Sequence, residues 1–283
     1  MNVKKLIIFF ICAFLPMVGV GVAMYFVGSP TFNSALSVGA MFIPLLSVVI
    51  TQLIYREPIL KGLDVSFKVN RWWVIGWLLI PVIAFATIGA TLLMPGAEWC
   101  ADNEMLQMAL KSMPDEFGIW EFVVISIAGG LLTGVTVNAL FAFGEEIAWR
   151  GFLLKLFRGK RFLSVAFWVG LIWGVWHAPI ILNGHNYPQH TVVGVFMMVV
   201  LCLLITPIFI YFRQKGRSVM LPAIMHGTYN AVIGISAIVV PSANDLLYGG
   251  CGLAGMIVLL LVNVGIFLYD RFISKENIFT SII

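Results

Sequence analysis

Eight apolar runs dominate the chain: 6–27, 35–54, 72–94, 122–157, 162–182, 191–212, 219–240 and 251–269. A helix crosses a bilayer in roughly 20 apolar residues at about 1.5 Å each. A transmembrane barrel would instead show short alternating segments. Continuous runs of this length therefore predict an all-α, polytopic transmembrane helix bundle of about eight spans. Composition points the same way: 61% of the 283 residues are hydrophobic and only 11% charged. A soluble domain is about 45–50% apolar and about 25% charged. Disorder is excluded as well, because so much apolar surface with so little charge collapses.

Lysine and arginine orient the bundle. With the N-terminus inside, Lys4 and Lys5 share the inner side with Arg56, Lys61, Lys68 and Arg71. The same side receives Arg150, Lys155, Arg158, Lys160 and Arg161, then Arg213, Lys215, Arg217, Arg271 and Lys275. All 17 basic residues except Lys111 are accounted for in this way. The large outer loop, 95–121, carries Glu98, Asp102, Glu104, Asp115, Glu116 and Glu121. Both termini are thus expected in the cytoplasm, with the protein multi-pass in the plasma membrane. The net charge of +4 is spent on topology and lipid contact. No basic face remains for nucleic acid. The first run has 22 residues, too long for the h-region of about 7–15 in a signal peptide. It is expected to be a retained span.

No repeat or low-complexity linker divides the sequence, so residues 1–283 read as one membrane domain. The four cysteines form no CxxC pair, which argues against a thiolate metal site. Cys12 and Cys202 fall in spans as small apolar residues. Cys100 and Cys251 both fall on the outer side, where a disulfide between them is an open expectation.

An ionisable group in the bilayer costs about 2.5–3.5 kcal/mol on insertion scales, and most runs carry none. The exceptions sit in three runs: Glu145, Glu146 and Arg150; Trp173 and His177; and His226 and Asn230. Counting from the basic loops puts Glu145 and His226 at depths of about 15 Å and His177 at about 24 Å. The three runs thus supply one buried polar site, expected to open toward the inner face. Glu146 and Arg150 are i, i+4 and share a helix face, which predicts a structural ion pair. Glu145 lies about 100° away, free to face a cavity. His226 and Asn230 are again i, i+4 and can act on one ligand together. A buried carboxylate suits general-base work near neutral pH, and a histidine beside it can help polarise a water. A His and an Asn opposite can donate to a developing oxyanion. Alternatively, Glu145, His177 and His226 could hold Zn²⁺ with a position left for water.

These residues carry a resemblance. Glu145-Glu146…Arg150, Trp173…His177 and His226…Asn230 are similar to the EExxxR, FxxxH and HxxxN motifs of the CAAX-protease and bacteriocin-processing family of intramembrane proteases, also called CPBP or Abi. The type II CAAX prenyl proteases are of this kind. The likeness covers a core of roughly 120–240 and departs only in Trp173, where Phe is usual. It implies an intramembrane endopeptidase acting on a membrane-associated or lipidated peptide. Glu145 is then the catalytic carboxylate, with His177 beside it on the water. His226 and Asn230 are oxyanion donors or metal-site residues, and Glu146, Arg150 and Trp173 give structural support. Both a zinc-dependent and a metal-free glutamate mechanism fit. Membrane lipid and a peptide or membrane-protein substrate are the partners implied.

Other readings use the same residues. A proton-coupled transporter would need buried Glu and His, yet no paired halves are visible. A non-catalytic immunity or scaffold protein would keep the fold and motifs for binding. His185 and His190, in a polar outer loop, read as surface residues. Gly129, Gly130 and Gly134 predict close helix approach or a bend, which would explain the length of the 122–157 run.

Overall fold

The computed structural model describes residues 2–99, 104–111, 118–240 and 244–283. Among these the chain is helical with no strands. In order come α1 (Val3–Val27), α2 (Pro30–Ala40), α3 (Ile43–Ile54), α4 (Arg71–Leu92) and α5 (Glu104–Leu110). Next are α6 (Ile119–Val135), α7 (Val137–Glu146), a π-helical turn (Ile147–Phe152) and α8 (Leu153–Leu156). The remainder is α9 (Phe162–Trp176), α10 (Ala178–Ile181), α11 (Thr191–Gly216), α12 (Met220–Val232), α13 (Ile235–Val239) and α14 (Leu253–Leu268).

Among the described residues, five helical segments are long and apolar enough to cross a membrane: Val3–Val27, Pro30–Ile54, Arg71–Leu92, Thr191–Gly216 and Leu253–Ser274. A sixth is the bent pair Ile119–Val135 and Val137–Leu156, which turns through 54°. The bundle is therefore a membrane protein. The runs 162–182 and 219–240, read as whole spans in the sequence, form shorter helices instead. His177 interrupts the first, where Pro179 follows, and residues 233–234 interrupt the second. The bend in the long run falls at Thr136 (φ −117°, ψ −102°).

The helix ends sort into two layers. In one, Lys5 Nζ lies 2.6 Å from Glu57, which also takes Lys155 at 3.2 Å. Arg213 pairs with Asp64 and Lys215 with Glu276 in the same layer. Ser66 N–H donates to Ser218 at 3.2 Å, and Gly159 N–H to the Ile283 carbonyl at 2.6 Å. In the other layer, Tyr248 donates to the Pro95 carbonyl at 2.7 Å and Tyr187 to the Cys251 carbonyl at 2.6 Å. Asp245 there accepts from the Gln189 backbone at 2.7 Å. The segments rich in Lys and Arg thus meet one another at one end. The Cys100–Cys251 pairing lies outside the described residues, since Cys100 is not among them.

α11 occupies the middle and packs on α9, α12, α14 and α4. α12 lies against α6 and α7 closely enough that small residues are required. A Cβ on Gly134 would fall 2.1 Å from Thr228 Oγ1, and one on Gly227 would fall 2.7 Å from the Ala139 nitrogen. Gly130 is equally tight against Val232, whereas Gly129 faces open space. This contact brings His226 beside the two glutamates.

Candidate active site

Glu145 and Glu146 end α7, and the π-helical turn that follows carries Trp149 and Arg150. Such turns are rare in proteins and concentrate at functional sites. Glu146 and Arg150 are fully buried. Arg150 Nη1 lies 2.9 Å from Glu146 Oε1, so the pairing expected from the i, i+4 spacing is present. Arg150 Nη2 donates to Thr206 Oγ1 of α11 at 2.9 Å. The guanidinium also sits 4.3 Å from the Trp173 ring centre and 5.0 Å from that of Phe209. Ion pair, hydrogen bond and ring faces together offset the cost of a cation at this depth.

Glu145 turns the other way and lines a cavity. Its Oε2 accepts from Trp173 Nε1–H at 2.6 Å and from Trp149 Nε1–H at 3.3 Å. Both donors hold one oxygen, which leaves Oε1 for a water or substrate. A phenylalanine at 173 has no N–H to give. The tryptophan is therefore more than an aromatic substitute, because it fixes the carboxylate.

The two histidines are oriented by their Nδ1 atoms. His177 Nδ1 is 2.9 Å from the Trp173 carbonyl, an acceptor only, so Nδ1 carries the proton and Nε2 a lone pair. His226 Nδ1 is 2.9 Å from Glu146 Oε1, with the same consequence for the neutral ring. Asn230, on the same face one turn along α12, lines the cavity and keeps its amide N–H₂ as a neutral donor.

Glu145, His177, His226 and Asn230, from α7, the α9–α10 junction and α12, all line one cavity of about 520 Å³. The lining continues to His185 and Asn186 in the loop after α10, to Ile233, and to Cys251 before α14. These lie at the end away from the Lys- and Arg-rich layer, and no residue of that layer lines the cavity. Trp149, Arg150 and Phe152, which follow Glu145 toward that layer, are fully buried.

His185 is thus part of the cavity wall rather than a surface residue. Burial, aided by nearby His177 and opposed by Glu145, pushes its pKa down to about 4. His190 does lie at the surface, 2.6 Å from Asp245. Asn138 also lines the cavity, with its amide 3.3 Å from the Gly227 carbonyl. Its spacing of seven from Glu145 puts both on one helical face, a signal present in the sequence. Trp149, at i+4 from Glu145, was signalled in the same way. Nothing local marks His185.

Among the described residues, no three His, Cys, Asp or Glu side chains are grouped closely enough to hold a metal ion. Glu145, His177 and His226 share the cavity without forming the three-ligand set of a catalytic zinc site. Their chemistry is instead that of a fixed carboxylate facing two ring nitrogens and an amide.

Residues 120–232 match the family model described as type II CAAX prenyl endopeptidase, Rce1-like. That stretch contains Glu145, Glu146, Arg150, Trp173, His177, His226 and Asn230. No curated protein matches the chain.

Proposed function

We propose, from the match of residues 120–232 to the Rce1-like type II CAAX prenyl endopeptidase family of intramembrane proteases, that the chain is a protease of that kind and hydrolyses a peptide bond of a membrane-associated or lipidated substrate with Glu145 as general base. The observation that carries this reading is the cavity that Glu145, His177, His226 and Asn230 share.

In the proposed reaction a water sits between Glu145 Oε1 and His177 Nε2. Glu145 takes its proton as the oxygen attacks the peptide carbonyl. Asn230 donates to the oxyanion from its amide, beside the His226 ring that Glu146 orients. Collapse of the tetrahedral intermediate breaks the C–N bond, and the proton on Glu145 passes to the leaving amine. Preorganised donors of this kind are worth about 10²–10³ in rate each, and the base about 10²–10⁴. No metal takes part in these steps. The plasma membrane is the proposed location, with the Lys- and Arg-rich layer on the cytoplasmic side.

Purified protein in detergent, given a membrane-anchored peptide, should cleave it, and the Glu145→Ala protein should not. Equal cleavage by both would remove the hydrolase reading and leave a binding or transport role.

A further inference from the structure

We infer that the Lys- and Arg-rich layer holds a binding site for a phosphate group, separate from the cavity around Glu145 and independent of the hydrolase reading.

The site is a second cavity, of about 420 Å³. Lys155, Arg158, Arg213 and Arg217 all line it, together with Asp64 and the end of the sequence at Ile283. It shares no residue with the cavity around Glu145. Lys155 lies on α8, and Arg158 follows that helix. Arg213 lies in the last turn of α11, and Arg217 caps it. Positive residues that only orient a bundle need to lie on one side of the membrane. Nothing in that role requires two chain segments to gather four of them around one concavity.

Part of this charge is already balanced. Asp64 pairs with Arg213, and Glu57 takes Lys155 at 3.2 Å. Arg158 and Arg217 are exposed and form no ion pair among the described residues. Of the Arg213 nitrogens only Nη2 is bonded among those residues, and Nε is buried without an acceptor. Three guanidiniums thus keep donors to spare around a single cavity. Each presents a planar fork that fits two oxygens of one anion. A carboxylate has only two oxygens to share among such forks, whereas a phosphate has more and uses the set more fully.

The cavity reaches the surface, since Arg158, Arg217 and Ile282 in its wall are all exposed. Its rim is partly apolar. Ile282 is 70% exposed. Phe67 is 73% exposed and follows Ser66, which exchanges hydrogen bonds with Ser218, the neighbour of Arg217. Charge inside and apolar side chains at the rim suit a phospholipid headgroup whose chains lie in the bilayer, and basic pockets between membrane helices bind acidic headgroups. A soluble phosphate offers the same group without the chains.

The test uses the full-length protein in neutral detergent, with short-chain phosphatidylglycerol, short-chain phosphatidylcholine and inorganic phosphate as separate probes. Thermal unfolding is the readout, because a ligand of the folded state raises Tm. Phosphatidylglycerol should raise Tm saturably. Phosphatidylcholine, whose headgroup carries its own cation, should do so far less. Replacing both exposed arginines, Arg158→Gln with Arg217→Gln, should weaken the apparent affinity at least about tenfold and leave Tm without ligand unchanged. Lys4→Gln with Arg56→Gln removes the same charge from the same layer outside the cavity, and that protein should bind as the wild type does. Should the first pair fail to fold, each of its single substitutions is compared with the control in the same way. A rise with the acidic lipid alone makes the headgroup with its chains the ligand. A rise with inorganic phosphate, lost in the same variant, makes the phosphate group sufficient. An equal response to the two lipids without one to phosphate, no response to any probe, or equal binding by the two substituted proteins overturns the site.

Discussion

Trp173 donates its indole N–H to Glu145 Oε2 across 2.6 Å, joining α9 to the end of α7. Trp149 adds a second, longer donor to the same oxygen. The carboxylate is thereby held with one oxygen occupied and the other free. A base that is already oriented spends no rotamer entropy at the moment of reaction.

Trp173→Phe removes the shorter donor and keeps an aromatic face for Arg150. A hydrogen bond to a charged group is worth about 1.5–3 kcal/mol. Cleavage should slow about ten- to hundredfold, while the yield of folded protein changes little. An unchanged kcat would show that Trp149 alone is enough to fix Glu145.

Glu145 and Glu146 are adjacent, yet their substitution should have opposite signatures. In Glu145→Gln the amide oxygen can still accept from both indoles, so folding persists and the base is lost, costing about 10²–10⁴ in rate. In Glu146→Gln, Arg150 loses its countercharge and His226 its carboxylate. Breaking a buried pair from one side costs about 3–5 kcal/mol, so thermal stability in detergent should fall together with activity. A stable Glu146→Gln protein would mean that Thr206 and the two rings suffice for Arg150.

The bundle and the Glu146–Arg150 pair were legible because both are local. Hydropathy over 20 residues identifies a membrane helix, and i, i+4 spacing survives even where the π-helical turn begins. The two short helices were not legible. Run 219–240 stays apolar on both sides of residues 233–234, where its helix breaks, and hydropathy does not register a break. The clasp of Trp149 and Trp173 on Glu145 depends on how α9 is rotated against α7. Which residues line the cavity depends on how α7, α9 and α12 pack together. Such facts belong to pairs of helices, and no single run encodes them.

Chelation separates the two mechanisms that fit the motifs. With no three ligands grouped among the described residues, strong chelators should leave the cleavage rate unchanged. Metal analysis of the purified protein should find no stoichiometric zinc. Loss of activity on chelation, with recovery on adding Zn²⁺, would overturn the carboxylate mechanism. It would require Glu145, His177 and His226 to close around an ion.

His185 makes stability depend on pH. Its folded pKa is pushed down to about 4 by burial beside His177, against about 6.5 in an unfolded chain. The unfolded state therefore takes up a proton at higher pH than the folded state. Stability from the neutral ring is fully present above about pH 6.5 and drains away as pH falls toward 4. His185→Gln has no proton to gain and should lack this part of the loss. Thermal unfolding of both proteins between pH 7.5 and 4.5 reads the difference directly. The wild type should lose more than the variant across that interval, and parallel curves would show that the His185 ring is already solvated in the folded protein.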